Sequence, residues 1–431
     1  PEVAKLRIFA TISHRDHWFT GVMMWGKILE NMLRSFVRSG SLTLELPDGR
    51  ELNFGDGTGD DVKASIKSKT ALRRLVLNPE LALGEIYMDG DLTVEGNDLR
   101  AFLAVLLSNI DQADRLWWQR WHARLRTVVR RFLRKNAPGL SRRNVAHHYD
   151  LSGELYDLFL DADRQYSCAY FRDASDTLEM AQAQKKDHIA RKLRIEHGMQ
   201  VLDIGCGWGG MALTLASDFG AHVTGITLSE EQLAVAKARA KRSGMQDRVK
   251  FELIDYRLVE GQFDRIVSVG MFEHVGLANF DTYFESVCNL LAPDGIALIH
   301  TIGNTTPPTA PNSWMTKYIF PGGYVPSLSE MAASVARQGL RVNDVELLWM
   351  HYAETLRHWY ERFDANAEKV ADIYDERFVR MWRFYLAACE QTFRYRQQTV
   401  FQFQLSRAAN VVPITREYLY RAALKFREAA E

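Results

Sequence analysis

The chain has 431 residues, 47% of them hydrophobic and 25% charged, the composition of a soluble globular protein too long for one ordinary core, so two or three domains are expected. Its 54 basic and 54 acidic residues cancel, which argues against a dedicated nucleic-acid binder. No apolar run approaches the ~18 residues that span a bilayer. Cys168, Cys206, Cys288 and Cys389 lie far apart without paired metal spacing, so a reduced cytosolic compartment is expected rather than a disulfide framework or a metal site.

Residues 1–112 mix short strands and helices and read as a small α+β unit with no obvious catalytic cluster. Ser41–Leu46 alternates apolar and polar, Pro47-Asp48-Gly49 turns, and Glu51–Phe54 reads as a second strand. Residues 113–144 change character. After Asp114 the stretch has no acidic residue, and Arg115, Arg120, Arg124, Arg126, Arg130 and Arg131 alternate with Trp117, Trp118, Trp121 and Phe132. Its apolar residues recur at near-helical spacing until Pro138-Gly139. Such a helix suits anionic headgroups at a membrane surface. It equally suits a solvated basic face whose tryptophans pack against a neighbouring domain.

Residues 145–431 read as one α/β catalytic domain. Val201–Ile204 is a buried strand, Met211–Phe219 a helix, His222–Leu228 a strand and Ser229–Ser243 a helix stopped by Gly244. Val249–Ile254, Ile266–Val269 and Ile296–His300 read as further strands. The alternation implies a mainly parallel, doubly wound sheet, with ligands at the carboxyl ends of its strands. The loop Asp203-Ile204-Gly205-Cys206-Gly207-Trp208-Gly209-Gly210 follows a strand and opens a helix, the setting a nucleotide-binding loop requires. Dinucleotide enzymes share such loops, but the next strand ends at Thr227 without the acidic residue that holds a dinucleotide ribose. Asp203, just before the glycines, is placed to meet a ligand ammonium. These features point to S-adenosylmethionine (AdoMet). Ser229 and Gln232 have the spacing of a capping box, with a second role for Gln232 toward the cofactor. Asp255 lies where adenine would bind. Arg257 reads as either a surface or a salt-bridged residue.

Several segments together resemble the cyclopropane-fatty-acyl-phospholipid synthases and the related mycolic-acid cyclopropane synthases. They are His148-Tyr149-Asp150, Gln165–Phe171, Leu202–Gly210, Ser268–Gly276, His300–Gly303, Lys317–Gly323 and Trp359–Phe363. The match runs from about residue 145 to 405, and Leu83–Gly90 resembles the N-terminal domain of the bacterial phospholipid enzymes. The resemblance implies a class I AdoMet-dependent methyltransferase of Rossmann-like, doubly wound α/β fold, with a smaller N-terminal α+β lipid-binding and dimerisation domain. It implies cyclopropanation of cis double bonds in phospholipid acyl chains, through methyl transfer and proton loss to a bound bicarbonate. The bicarbonate site carries over to Cys168, Glu273, His300, Tyr352 and the backbone of Ile302. The AdoMet residues carry over to Tyr166, Ser167, Gly205, Gly207, Thr227, Gln232 and Asp255. A nucleophilic-cysteine role carries over to Cys389, which reads otherwise as a core residue on an aromatic helix; direct transfer to an olefin needs no covalent enzyme intermediate.

The expected protein is thus a cytosolic homodimer working on unsaturated phospholipid at the inner membrane face. A fatty-acyl methyltransferase giving a methyl-branched or methylene product, a related enzyme acting on a small molecule or nucleic acid, and a non-catalytic lipid-binding protein are its rivals.

Overall fold

The computed structural model describes residues 22–110 and 153–420, which fall into two compact units. The basic stretch 113–144 and the motif His148-Tyr149-Asp150 lie outside the described residues.

In the first unit, a helix over residues 22–36 precedes β1 (Ser41–Glu45). Leu42 and Leu44 point into the core, following the alternation of the sequence. Gly49 takes φ +82°, a conformation glycine adopts without steric cost, and its amide donates to the Leu46 carbonyl at 2.9 Å. The chain then returns as β2 (Glu51–Gly55), antiparallel to β1 as expected. β3 (Asp61–Ile66) pairs parallel with β1, and β4 (Leu92–Val94) antiparallel with β3, in the order β2-β1-β3-β4. Helices Lys69–Leu77, Pro79–Met88 and Leu99–Ser108 accompany this sheet.

The expected catalytic span, 145–431, contributes residues to both units. Residues 312–319 and 363–396 cluster with the N-terminal unit. The cause is one amphipathic helix, Glu376–Tyr395, capped by the Asp375 side chain and burying Val379, Trp382, Leu386 and Phe393. Phe384 packs against Trp314 and Tyr87, with ring centroids 4.7 and 6.1 Å apart. Glu390, fully buried, accepts from Arg100 at 2.8 Å and Arg394 at 2.9 Å. A buried carboxylate needs such partners, and one of them lies 290 residues earlier in the chain.

The second unit is built on a seven-stranded sheet of order β10-β11-β9-β8-β5-β6-β7. β5 (Gln200–Ile204), β6 (His222–Thr227), β7 (Val249–Leu253), β8 (Phe263–Val269) and β9 (Leu291–Asn304) are parallel. Alternate residues face opposite cores. Val201, Val223 and Val267 pack with Leu215 and Ala236 from helices Gly210–Phe219 and Glu230–Arg242. Leu202, Ile204 and Ile266 pack with Phe284 and Met331 from helices Phe280–Leu290 and Leu328–Arg337. From β5 the chain winds outward through β6 and β7, then returns on the other side of β5 as β8. The reversal leaves a crevice at the carboxyl ends of β5 and β8, where open α/β sheets bind ligands.

β10 (Arg341–Leu347) and β11 (Gln398–Ser406) complete the sheet in antiparallel fashion, where the sequence pattern assigned no strand. β9 is longer than the expected Ile296–His300 because β11 pairs with it from Ile296 to Asn304. Among the described residues, no helix is long and apolar enough to cross a membrane.

Candidate active site

The site begins where β5 ends. Gly205, Gly207 and Gly209 all take positive φ and turn the chain into helix Gly210–Phe219. At Gly205 a β-carbon would sit 2.8 Å from Met271 Cβ as well as in a strained conformation. The cavity above this turn is lined by Tyr166, Ser167, Asp203, Gly205, Gly207, Thr227, Gln232 and Asp255. These are all the residues the sequence suggested for the cofactor, drawn from five separate segments into one place.

Each has a local reason for its position. Asp203 is buried with Oδ2 lacking a hydrogen-bond partner, and burial pushes its carboxyl up to about 7, against the pull of the Lys185 ammonium. A buried orphan acceptor costs stability unless a ligand donor meets it. Thr227 donates from Oγ1 to Gln232 Oε1 at 3.1 Å and accepts from the Ser229 amide at 3.2 Å. The expected capping box is therefore half formed. Ser229 Oγ accepts from the Gln232 amide at 3.3 Å, but the Gln232 side chain turns to Thr227 and the cavity. Arg257 is salt-bridged rather than a free surface residue: it grips Asp255 through Nε at 2.8 Å and Nη2 at 2.6 Å. Tyr166 stacks on Trp359 with centroids 5.1 Å apart, and meets Tyr156 and Phe159 edge-on.

Sequence reading missed the groups that hold these walls. Arg239 hydrogen-bonds the Trp208 carbonyl at 2.9 Å and the Asp163 carboxylate, tying the glycine turn to the segment before Tyr166. Lys185, fully buried, donates to Gln165 Oε1 and Ser167 Oγ, each at 2.7 Å. Both sit in helices rich in charge, Leu178–Leu193 and Glu230–Arg242, where nothing in the residue pattern separates an inward cation from a solvated one.

The second expected set, Cys168, Glu273, His300, Ile302 and Tyr352, does not line the cavity itself. Chain neighbours of two of them do: Ser167, and Met271 with His274. Glu273 lies in the turn Phe272–His274 after β8. Its Oε1 accepts from the Ile302 amide at 2.7 Å, so the amide expected to face an anion is engaged by Glu273. Its Oε2 is buried without a partner at hydrogen-bonding geometry, and burial pushes the carboxyl up to about 6, against the Ile302 amide, its own backbone and the nearby Thr301 hydroxyl. His300 is buried on β9. Burial first, then the Lys185 and Lys192 charges, hold its pKa well below the usual range, so the ring is neutral. Nδ1 sits 3.1 Å from the Gln402 amide nitrogen. As an acceptor there, it leaves the ring proton on Nε2, which has no partner. Gln402, on the unexpected strand β11, was invisible to motif reasoning.

Tyr352, nearly buried on helix Trp349–Ala365, packs edge-on against Trp359 at 5.9 Å. Cys168 is buried, with Sγ 3.3 Å from the Ala169 carbonyl, and burial pushes its thiol up. Cys389 belongs to the other unit, and burial pushes its thiol up to about 12. A thiol that weakly acidic is a poor nucleophile near neutrality.

A family described as mycolic acid cyclopropane synthetase matches residues 138–403, and a domain of unknown function, DUF7884, matches residues 28–114. A probable fatty acid methyltransferase of Pseudomonas putida is 36% identical, covering 88% of this chain and 96% of its own length. The cyclopropane-fatty-acyl-phospholipid synthase of Escherichia coli K12 is 41% identical, over 79% of this chain and 87% of its own. The solved mycolic acid cyclopropane synthase CmaA1, in complex with SAH (S-adenosylhomocysteine) and CTAB, superposes with a TM-score of 0.58 at 33% identity. That match covers 61% of this chain and 97% of CmaA1.

The Glu273 carboxyl has a measurable consequence for stability. Its pKa rises from 4.5 to about 6 on folding, so the folded state holds the proton more tightly. The ionised group therefore costs stability, by about 2 kcal/mol, once the pH is well above 6, and almost nothing below 4.5. Glu273→Gln keeps an acceptor for the Ile302 amide. It is expected to raise the unfolding free energy by about 1–2 kcal/mol at pH 8 and to change it little at pH 5. Urea denaturation at both pH values measures this; an equal effect at the two would mean the carboxylate is solvated.

Proposed function

Because this chain belongs to the mycolic acid cyclopropane synthetase family, we propose that it converts cis double bonds in phospholipid acyl chains into cyclopropane rings. As an AdoMet-dependent enzyme of this type, it draws on a cosubstrate that supplies an electrophilic methyl group on a sulfonium. The eight cavity residues named above are assigned to hold it, with Asp203 Oδ2 meeting the ammonium and the open face at Gly207 leaving room for close approach.

The chain's own contribution is positional and electrostatic. An isolated olefin is a weak nucleophile, so it must be aligned and dry before it reacts. Tyr166, half-buried at the cavity, is backed by the buried rings of Tyr156, Phe159 and Trp359, an apolar, water-poor support. Methylation of an olefin leaves a carbocation, and ring closure requires a proton to leave the new methyl group. Glu273, His300, Tyr352 and Cys168 are assigned to a bicarbonate, which supplies the base, while the Ile302 amide holds Glu273 in place rather than the anion. The observation that carries this reading is a complementary pair of orphans: a donor at His300 Nε2 and an acceptor at Glu273 Oε2, both buried. The Glu273–Ile302 bond ties Glu273 to β9 two residues beyond His300. An anion that carries a hydroxyl offers an acceptor to the first and a donor to the second. Cys389 has no assigned part in catalysis.

A second reading is favoured by the Pseudomonas putida relative, whose name is that of a fatty acid methyltransferase. A ring methylene and an exocyclic methylene add the same mass, so proton NMR of the product lipid decides. Upfield cyclopropane methylene signals are expected after turnover on unsaturated phospholipid vesicles; their absence from a methylated product would establish the second reading. Glu273→Gln and His300→Ala are each expected to lower turnover by about 10²–10³-fold while AdoMet affinity by calorimetry changes little. Near-normal rates in either would remove the bicarbonate assignment. Homodimer assembly and peripheral contact with the inner membrane face belong to the same proposal, the latter supported by the basic and aromatic composition of residues 113–144. A single-chain mass in sedimentation velocity, or vesicle flotation that leaves the protein in the aqueous layer, would remove them.

A further inference from the structure

Helix Leu178–Leu193 grips the segment that forms one wall of the cofactor cavity. Gln182 donates to the carbonyls of Gln165 at 3.3 Å and Ser167 at 2.9 Å. Lys186 pairs with Asp163 at 2.5 Å. Between them Lys185 reaches Gln165 Oε1 and Ser167 Oγ with no exposed surface. Neutral amides and hydroxyls would suffice to join a helix to a loop. A lysine here places a full charge in a closed interior, at a desolvation cost, and its hydrogen-bond partners are both neutral.

The Lys185 charge is felt by Asp161 and by Asp203, and of the two it is Asp203 that lines the cofactor cavity. Asp203 is buried at the end of β5, has an unpartnered Oδ2, and lines the same cavity as Gln165 and Ser167. We propose that Lys185 is a positioning residue of the cofactor site: it anchors the Gln165–Ser167 wall and supplies positive charge that favours the carboxylate form of Asp203 when the cosubstrate ammonium arrives. The proposal rests on the assignment of Asp203 to that ammonium.

The surrounding charges agree. Burial lowers Lys185 to about 8, with Lys186 acting in the same direction and Asp161, Asp163 and Cys168 opposing. His300 also feels the Lys185 charge. Around Asp203, burial raises the carboxyl to about 7 and Lys185 opposes it, while Asp203 in turn raises the Cys206 thiol. Near neutrality Lys185 is therefore charged and Asp203 is poised between its two forms. An arriving ammonium favours the carboxylate, so binding releases a proton, and affinity rises as the pH climbs through about 7. Removing the lysine charge leaves the burial in place and moves that midpoint to higher pH.

S-adenosylhomocysteine, which keeps the ammonium and undergoes no turnover, is the probe. Its affinity is measured by calorimetry from pH 6 to pH 9 in the wild type, Lys185→Met, Lys185→Gln and Asp203→Asn. The wild type is expected to bind more tightly with rising pH and to release protons at pH 7. Both lysine variants should shift the midpoint upward by about one unit, about tenfold in affinity at pH 7. Lys185→Gln, which can still hydrogen-bond Gln165 and Ser167, should approach wild-type affinity at pH 9, whereas Lys185→Met should not. Asp203→Asn should flatten the profile, and Lys185→Gln in that background should not restore any slope. A folded Lys185→Gln with the wild-type pH profile overturns the proposal. So does the absence of proton release in the wild type, which needs no variant to fold. A wild-type affinity and profile in Asp203→Asn would instead overturn the assignment of Asp203 itself.

Discussion

Glu273 accepts the amide of Ile302, and that bond joins the turn after β8 to the carboxyl half of β9. Two strands that end side by side could carry their terminal residues anywhere in a flexible loop. Here a carboxylate spends one oxygen on a neighbouring strand's backbone and keeps the other buried and unpaired. The bond thus orients a group that water would otherwise solvate. His300, earlier on β9, is oriented in the same manner by Gln402 from β11. Two side chains are each held by one polar atom and left without a partner at the other.

The cofactor end follows the same logic with different groups. Asp203 is left with a free oxygen beneath a glycine turn, while Asp255 is gripped through both oxygens by Arg257. A carboxylate clamped by its own arginine is stiff and offers the remaining lone pairs in a fixed direction. One kept free of any anion or cation at contact distance retains its capacity for an incoming ammonium. Buried polar atoms without partners are few in native proteins. Among those of the described residues, Glu273 Oε2 and His300 Nε2 belong to residues that the family resemblance selected, and Asp203 Oδ2 to one selected by its place before the glycines.

The cysteines show what burial removes. Cys168 and Cys389 both have thiols pushed upward by desolvation, so neither supplies a thiolate near neutrality. Cys168 can act only as a neutral group. The chemistry that remains is direct transfer to carbon, for which dryness and alignment matter more than a protein nucleophile.

The residue pattern alone determined the local elements and the cofactor. Gly205 and Gly207 after a buried strand, the alternation of strand and helix, and the hairpin at Pro47-Asp48-Gly49 depend on neighbours within a few residues, and such signals survive in one dimension. The resemblance then named seven of the expected cofactor residues and the pattern before the glycines named Asp203, and all eight line one cavity. Tertiary structure decided what depends on distant partners. It placed helix Glu376–Tyr395 with the N-terminal unit, because its apolar stripe and Glu390 are satisfied by Tyr87 and Arg100. It added β10 and β11, whose pairing with β9 extends that strand and delivers Gln402 to His300. It turned Gln232 from a cap to Thr227, and the Ile302 amide toward Glu273. It also turned Lys185 inward. A lysine on a charged helix looks the same in sequence whether it meets water or a buried wall, because its environment is made by residues that the chain brings back only on folding.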